Sequence, residues 1–260
     1  MERHIPLKGA KNFRDLGGYP GQDGRRVRWR RVFRADALHA LTARDVQVLR
    51  TVGLARVVDL RTPWEVERFG AGMLTAHGVE HLHLPFVADT AQPGGELAGT
   101  PATLEEADQE RVAGYLWMLE QAGPTVSRVF SLLAHDARED GAGGGLVFHC
   151  TSGKDRTGIL AALLLRALGV SAEAVAGDYA LTARYLVRTP EEIRALEATF
   201  GLRTTAEMRE PRPRIMRGLL AGLDATYGSV PAYLATVGID AGAISRLQAA
   251  LLADPDTSGR

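Results

Sequence analysis

The chain has 260 residues with 31 basic and 31 acidic side chains, a formal net charge of zero, and 45% hydrophobic residues. That length and apolar content can bury a substantial core in one large domain or two small ones, and the balanced charge gives no bulk electrostatic case for nucleic acid or an acidic membrane. The single cysteine, Cys150, excludes an internal disulfide and suits a reducing compartment.

The N-terminal stretch carries Glu2, Arg3 and Lys8 with no apolar run behind it, and no apolar segment long enough to span a bilayer follows. Neither a signal peptide nor a membrane span is expected. A cytoplasmic location is expected, with export lacking a cleaved signal left open. The oligomeric state is not readable.

In chain order, residues 27–34 alternate as a strand, and Thr42 to Val52 read as a capped helix preceded by Leu41. Ala55 to Leu60 form a short β-branched buried strand, and Glu80 to Phe86 another. Asp89 to Thr103 read as a surface loop, followed by helices at 104–121 and 124–137. After the glycines at 141–145, Leu146-Val147-Phe148-His149 reads as a buried strand. Thr157 to Leu168 is apolar almost all round, a helix for a core interior, and Gly169 is placed to stop it. From Ser171 the chain reads as almost wholly helical, with Thr189-Pro190-Glu191-Glu192 as a helix start and Pro211 and Pro213 interrupting the next helix. The alternation predicts an α/β fold, a mostly parallel central sheet flanked by helices with a helical C-terminal part. No internal repeat is present.

The chemistry concentrates in His149-Cys150-Thr151-Ser152-Gly153-Lys154-Asp155-Arg156-Thr157-Gly158. A strand–loop–helix turn lets the N–H groups of residues 151–156 curl into a nest at the positive end of a helix, where an anion binds. Arg156 is spaced to hold two oxygens bidentately. Helix N-termini and nearby cations favour thiolate over thiol, and thiolate is the nucleophilic form, so the same field arms Cys150. Fixed donors facing a phosphoryl group supply much of the catalysis of its transfer. Thr157 is placed to donate its hydroxyl to a departing thiolate. Phe148 and Asp155 exclude a Walker P-loop, no histidine after His149 supplies a papain-like pair, and a merely buried thiol would not require Gly-Lys-Asp-Arg-Thr-Gly behind it.

This stretch resembles the Cys-x5-Arg signature of the cysteine-dependent protein tyrosine phosphatase superfamily. Its Gly-Lys-Asp-Arg-Thr-Gly form is similar to the bacterial and fungal tyrosine-phosphatase-like family, which has a mycobacterial member. Asn12-Phe13-Arg14-Asp15-Leu16-Gly17-Gly18-Tyr19, Val58-Asp59-Leu60-Arg61 with Glu65, and Tyr227-Gly228-Ser229 with Tyr233-Leu234 and Gly238 resemble further family motifs. The resemblance runs from about position 12 to 252. It implies one phosphatase domain over 1–260, with a helical extension or lid at about 178–220 and candidate hinges at Gly201-Leu202 and the two prolines; a helical bundle packed on the sheet is the equal alternative.

The resemblance also implies a phosphocysteine mechanism with no metal and no cofactor. Cys150 is then the nucleophile and Arg156 the phosphate-binding arginine, with Thr151, Ser152, Gly153 and Thr157 around the phosphate. Lys154 resembles the lysine by which some members accept phosphoinositides. No Trp-Pro-Asp acid loop is present, since Pro63-Trp64-Glu65 has another order. The resemblance assigns the general acid to Asp155, with Asp59 as rival, and leaves open a loop-shaping ion pair for Asp155.

Asp59 and Arg61, at a strand end, read as an active-site rim, with Arg61 binding substrate; the alternative is an Arg61–Glu65 salt bridge. His149 reads as orienting the loop or as a core histidine. Asp178 and Tyr179 read as helix packing, with a place facing the site as the alternative. His77, His81 and His83 lack the partners of a metal site. The basic runs Arg25, Arg26, Arg28, Arg30, Arg31, Arg34 and Arg209, Arg212, Arg214, Arg217 read as solvated faces, with an acidic headgroup as the alternative partner for part of the first and Arg34 near the pocket.

The function expected is hydrolysis of phosphomonoesters, with phosphotyrosine in a protein first, phosphoinositides second, and phosphoserine or phosphothreonine if the pocket is shallow. A phosphate-binding module without catalysis and a rhodanese-like sulfurtransferase are the alternatives. A phosphorylated protein or a phosphoinositide is the expected partner.

Overall fold

The computed structural model describes residues 1–89, 101–135, 144–201 and 205–254. Leu202, most of the expected 89–103 loop, the end of the 124–137 helix and Gly141 to Gly143 lie outside the described residues.

Five strands make one sheet. They are β1 (Arg14–Asp15), β3 (Val32–Ala35), β4 (Leu54–Asp59), β5 (Glu80–His83) and β6 (Gly145–His149), in spatial order β1-β3-β6-β4-β5. All neighbours pair in parallel except β1, which runs antiparallel to β3 at the edge. Strand β6 is therefore central, with Phe33 and Val57 beside Val147, and Ala35 and Asp59 beside His149. Successive strand side chains point to opposite faces. Leu146 and Phe148 accordingly enter one core cluster with Val32 and Val58, while Val147 enters another with Phe33 and Val57.

The smaller cluster lies under α1 (Ala43–Thr51), where Val46 and Leu49 are buried. A reciprocal cap starts this helix: Asp45 N donates to Thr42 Oγ1, and Thr42 N donates to Asp45 Oδ2 at 2.8 Å. The same device starts α2 (Pro63–Phe69), with Thr62 and Glu65 as the pair and Pro63 at the first turn. The larger cluster holds α3 (Leu104–Gln121), α4 (Gly123–His135), α5 (Asp155–Ala167), α6 (Ala172–Tyr185), α8 (Pro213–Tyr227), α9 (Val230–Thr236) and α10 (Ala241–Leu251). Helix α5 runs through its middle, with every residue from Thr157 to Leu165 buried, as its all-round apolar sequence requires. By contrast α7 (Pro190–Phe200) has no fully buried residue and ends at Gly201 in the left-handed conformation.

Three expectations are corrected. Residues 27–34 are not one strand: β2 (Arg26–Val27) pairs with β7 (Leu252–Ala253), and the chain turns at Arg30, whose φ is 61°, before β3. Strand β5 stops at His83 rather than Phe86, since Pro85 has no N–H for a ladder. Pro213 does not interrupt a helix but opens α8, where a missing N–H costs nothing. Among the described residues no helix is long and apolar enough to cross a membrane.

Candidate active site

Cys150 follows the central strand, and α5 begins five residues later at Asp155. The loop between them is anchored on both sides, by Leu60 N donating to His149 O at 2.8 Å and Ala37 N donating to Thr151 O at 3.2 Å. Cys150 is buried. Thr157, in the first turn of α5, has a buried hydroxyl that makes no hydrogen bond to another protein group. Gly158 leaves room for two incoming side chains: a Cβ there would lie 3.0 Å from the Tyr179 ring and 3.5 Å from an Arg34 nitrogen.

Glu65 takes both ends of the Arg156 guanidinium, with Nη2 to Oε1 at 2.8 Å and Nη1 on Oε2. It also accepts from Thr151 Oγ1, at the other end of the loop. Burial acts to raise the Glu65 carboxyl, but Arg156, Thr151 and the Thr62 N–H outweigh it and hold the group below its ordinary range. Its carboxylate raises the guanidinium of Arg156 in turn, against the opposing effect of burial. The sequence motif contained Glu65 but not this role. Thr62-Pro63-x-Glu65 is a capping signature that would have located the helix, though not its distant partner.

Asp155 accepts from the Tyr115 hydroxyl of α3, which lies 2.8 Å from the Tyr179 hydroxyl of α6. Lys154 Nζ stands 3.5 Å from the same carboxylate. Burial favours the neutral acid, but Lys154, Arg111, Tyr115 and Arg156 together hold Asp155 below its ordinary range. Burial pulls Lys154 down to about 8, partly opposed by Asp155.

Asp59 and Arg61 are placed differently from the rim reading. Both are fully buried and paired with each other, Arg61 Nη2 to Asp59 Oδ2 at 2.6 Å and Nε to Oδ1 at 2.9 Å. The Arg61–Glu65 bridge is replaced by the Glu65–Arg156 pair. A strand-end aspartate two residues before an arginine closes its own fork, which keeps both off the pocket wall.

His81 and His149 point Nε2 at Asp59 from 3.5 and 3.7 Å, a donor set that could hold a metal ion. Arg61 already occupies both carboxylate oxygens, however, and its charge opposes a cation there. His83 contacts Arg61 O through Nε2 at 2.9 Å. Burial lowers His149 to about 4, so the ring is neutral at neutral pH.

Two further groups meet beneath the loop: Asp178, which reads in the sequence as helix packing, and Arg34, which lies in a basic run but reads as near the pocket. Asp178 accepts from Arg34 Nη1 at 2.6 Å and from Arg14 Nε at 3.1 Å, all three being buried. Arg34 is therefore not part of a solvated basic face. Its alternation with apolar Phe33 and Ala35 gave no sign of this, because the partner lies on α6.

A cavity of about 740 Å³ opens over the loop, lined by Thr151, Ser152, Lys154, Asp155 and Arg156 on one side. Trp64 and Trp117, both partly exposed, and Phe200 line it elsewhere. Trp64 meets Phe200 edge-on at 5.8 Å between ring centres. The turn at 205–210 closes over this side through its carbonyls: Arg209 O accepts from Lys154 Nζ at 3.0 Å, Glu210 O from Arg111 at 2.8 Å, and Met208 O from Arg111. Arg188 donates to Ser152 Oγ at 3.0 Å.

The chain also matches known proteins in sequence. The profile described as "Tyrosine phosphatase family" matches residues 5–253. A Cupriavidus necator protein named "Putative tyrosine-protein phosphatase" is 33% identical, over 86% of this chain and 80% of its own. A tyrosine-protein phosphatase of Nostoc commune is 30% identical, over 82% and 71%. The triple specificity protein phosphatase PtpB of Mycobacterium tuberculosis is 27% identical, over 95% and 98%.

Proposed function

The chain belongs to the tyrosine phosphatase family, and from that premise we propose that it hydrolyses phosphotyrosine in proteins through a phosphocysteine on Cys150. The observation that carries this is the placement of Cys150 and Arg156 at the two ends of one anchored loop, with the guanidinium fixed by Glu65 at the cavity. In the first step the thiolate attacks phosphorus, the P–O bond to tyrosine breaks, and the phenolate takes a proton from Asp155. In the second, water attacks phosphorus and returns its proton to Asp155, the S–P bond breaks to release inorganic phosphate, and Thr157 hydrogen-bonds the departing thiolate. The N–H groups of Thr151, Ser152, Gly153, Lys154 and Arg156 hold the equatorial oxygens with the Arg156 fork.

Asp155 is favoured over Asp59 as the acid because it lines the cavity, whereas Asp59 is spent on Arg61. A bound phosphoryl dianion beside Asp155 raises its hold on a proton. The mixed lining supports an aromatic leaving group, since Trp64, Trp117 and Phe200 offer apolar walls to a phenol. Phosphoinositides are the second reading, favoured by Lys154 at the cavity. Within one phosphatase domain, α7 is the part of the 178–220 stretch that acts as a lid, since it lines the cavity and has no fully buried residue.

The test compares wild type with Cys150→Ser on para-nitrophenyl phosphate, with intact mass after acid quench. Turnover lost in the variant and a transient phosphate adduct on Cys150 are expected. Equal hydrolysis by both proteins would remove Cys150 as nucleophile. No hydrolysis and no adduct would leave a phosphate-binding module.

A further inference from the structure

Resting on the reading that the loop binds a phosphoryl group, we propose that Arg34 and Asn12 are positioning residues that turn the loop's peptide N–H groups toward that group. In a trans peptide the C=O and the following N–H point in opposite directions. Pulling a carbonyl outward therefore aims the next N–H inward. Three consecutive loop carbonyls are pulled in this way, and every donor comes from the N-terminal segment. Thr151 O accepts from Ala37 N at 3.2 Å. Ser152 O accepts from Asn12 Nδ2 at 3.3 Å, and Gly153 O from Asn12 Nδ2 at 3.1 Å and Arg34 Nη2 at 2.7 Å. The N–H groups so aimed are those of Ser152, Gly153 and Lys154.

Gly153 itself requires the close approach. Its φ is 61°, and a Cβ would meet Ala35 O at 2.4 Å. Asn12 is held by Arg14, which donates to its side-chain oxygen, and by Asp36, which accepts from its N–H at 2.9 Å. Arg34 is held by Asp178 at 2.6 Å. That carboxylate also serves Arg14 and accepts from the Tyr19 hydroxyl at 3.1 Å.

Two buried arginines thus share one aspartate, leaving an excess positive charge beneath an anion site. Burial, then Arg14, pulls Arg34 down to about 10, still protonated at neutral pH and consistent with incomplete neutralisation. No other element supplies these carbonyl contacts among the described hydrogen bonds.

Alkylation of Cys150 by iodoacetate and by iodoacetamide provides the test. The two reagents differ in charge, so the ratio of their rates reports how well the nest recruits an anion, and the single cysteine makes the readout unambiguous. Wild type should prefer iodoacetate and be protected by inorganic phosphate. In Asn12→Ala and Arg34→Lys that preference should fall by about tenfold, the cost of roughly one well-placed charge-assisted hydrogen bond. The iodoacetamide rate should change little. Tyr233→Phe, which removes a remote buried hydrogen bond to Leu119 O, should leave the ratio unchanged. If Arg34→Lys fails to fold, Asn12→Ala decides the matter. An unchanged ratio in folded Asn12→Ala, or equal slowing with both reagents, would overturn the positioning role alone. A wild type with no anion preference and no phosphate protection would overturn the phosphate-binding reading as well.

Discussion

Glu65 receives both terminal nitrogens of Arg156, so the arginine at the mouth of the loop is oriented by a carboxylate whose own position is fixed by the cap of α2. One side chain thereby joins the start of α2 to both ends of the loop after β6. Removing the charge but not the shape should therefore unsettle the arginine before it unsettles the fold. In Glu65→Gln, kcat/KM toward para-nitrophenyl phosphate should fall by roughly tenfold or more, in the range of losing one fixed electrostatic contact. A thermal melt should stay cooperative, with a loss below the roughly 3–5 kcal/mol of a fully broken buried pair, since Gln keeps one acceptor oxygen. Unchanged kinetics in a folded variant would mean that Arg156 finds its pose without the carboxylate.

The two aspartates named as acids differ in kind. Asp155→Asn should lose far more rate on a phosphotyrosyl peptide than on a substrate with an acidic leaving group, because only the poor leaving group needs a proton. Asp59→Asn should instead lower stability, since it leaves buried Arg61 unpaired. A leaving-group series on both variants, with urea melts alongside, separates the roles. A leaving-group dependence confined to Asp59→Asn would reverse the assignment.

Lys154 carries a pH signature. Burial brings its pKa from 10.5 to about 8 in the folded protein, below its unfolded value. Between those limits the unfolded chain holds the proton and the folded one does not, so stability should rise as pH rises from about 8 to 10.5. Substrate attraction runs the other way: KM should climb as the ammonium is lost above about 8. Lys154→Met should flatten both trends, as read by urea melts and steady-state kinetics over the same pH range.

His149 works at the acid end. Burial lowers it from 6.5 to about 4, so the unfolded chain takes up a proton first and stability should fall as pH falls from 6.5 through 4. Asp15, which burial raises to about 6, contributes with the opposite sign between 3.8 and 6. His149→Gln should therefore lessen the acid loss while leaving the Asp15 contribution in place. An identical acid slope in the two proteins would show that His149 is not the group responsible.

The loop was legible because its chemistry is local. A strand, a lone thiol, an arginine and an apolar helix sit within about twenty residues, and each carries its own periodicity or cap signal. The caps at Thr42 and Thr189 were legible for the same reason. What was hidden came from elements far apart in sequence. Tyr115 reaches Asp155 from α3, and Asp178 reaches Arg14 and Arg34 from α6. Arg34 reads as near the pocket but not as part of a buried ion pair, because burial of a charge depends on a partner that no local pattern records. The split of residues 27–34 was equally invisible, since β2 finds its neighbour more than two hundred residues later.

The cavity has walls of unequal permanence. On one side stands the loop that follows β6, a strand buried along its whole length and hydrogen-bonded on both edges. Facing the same space are residues of α7, which has no fully buried residue. Amide exchange should therefore be slowest and fastest at opposite sides of one opening, because local opening free energy follows buried contact. Mutational drift in α7 would then alter which phosphoesters gain entry while leaving the cysteine and its loop untouched. A lineage could diversify its targets on the weak wall without disturbing the chemistry on the strong one.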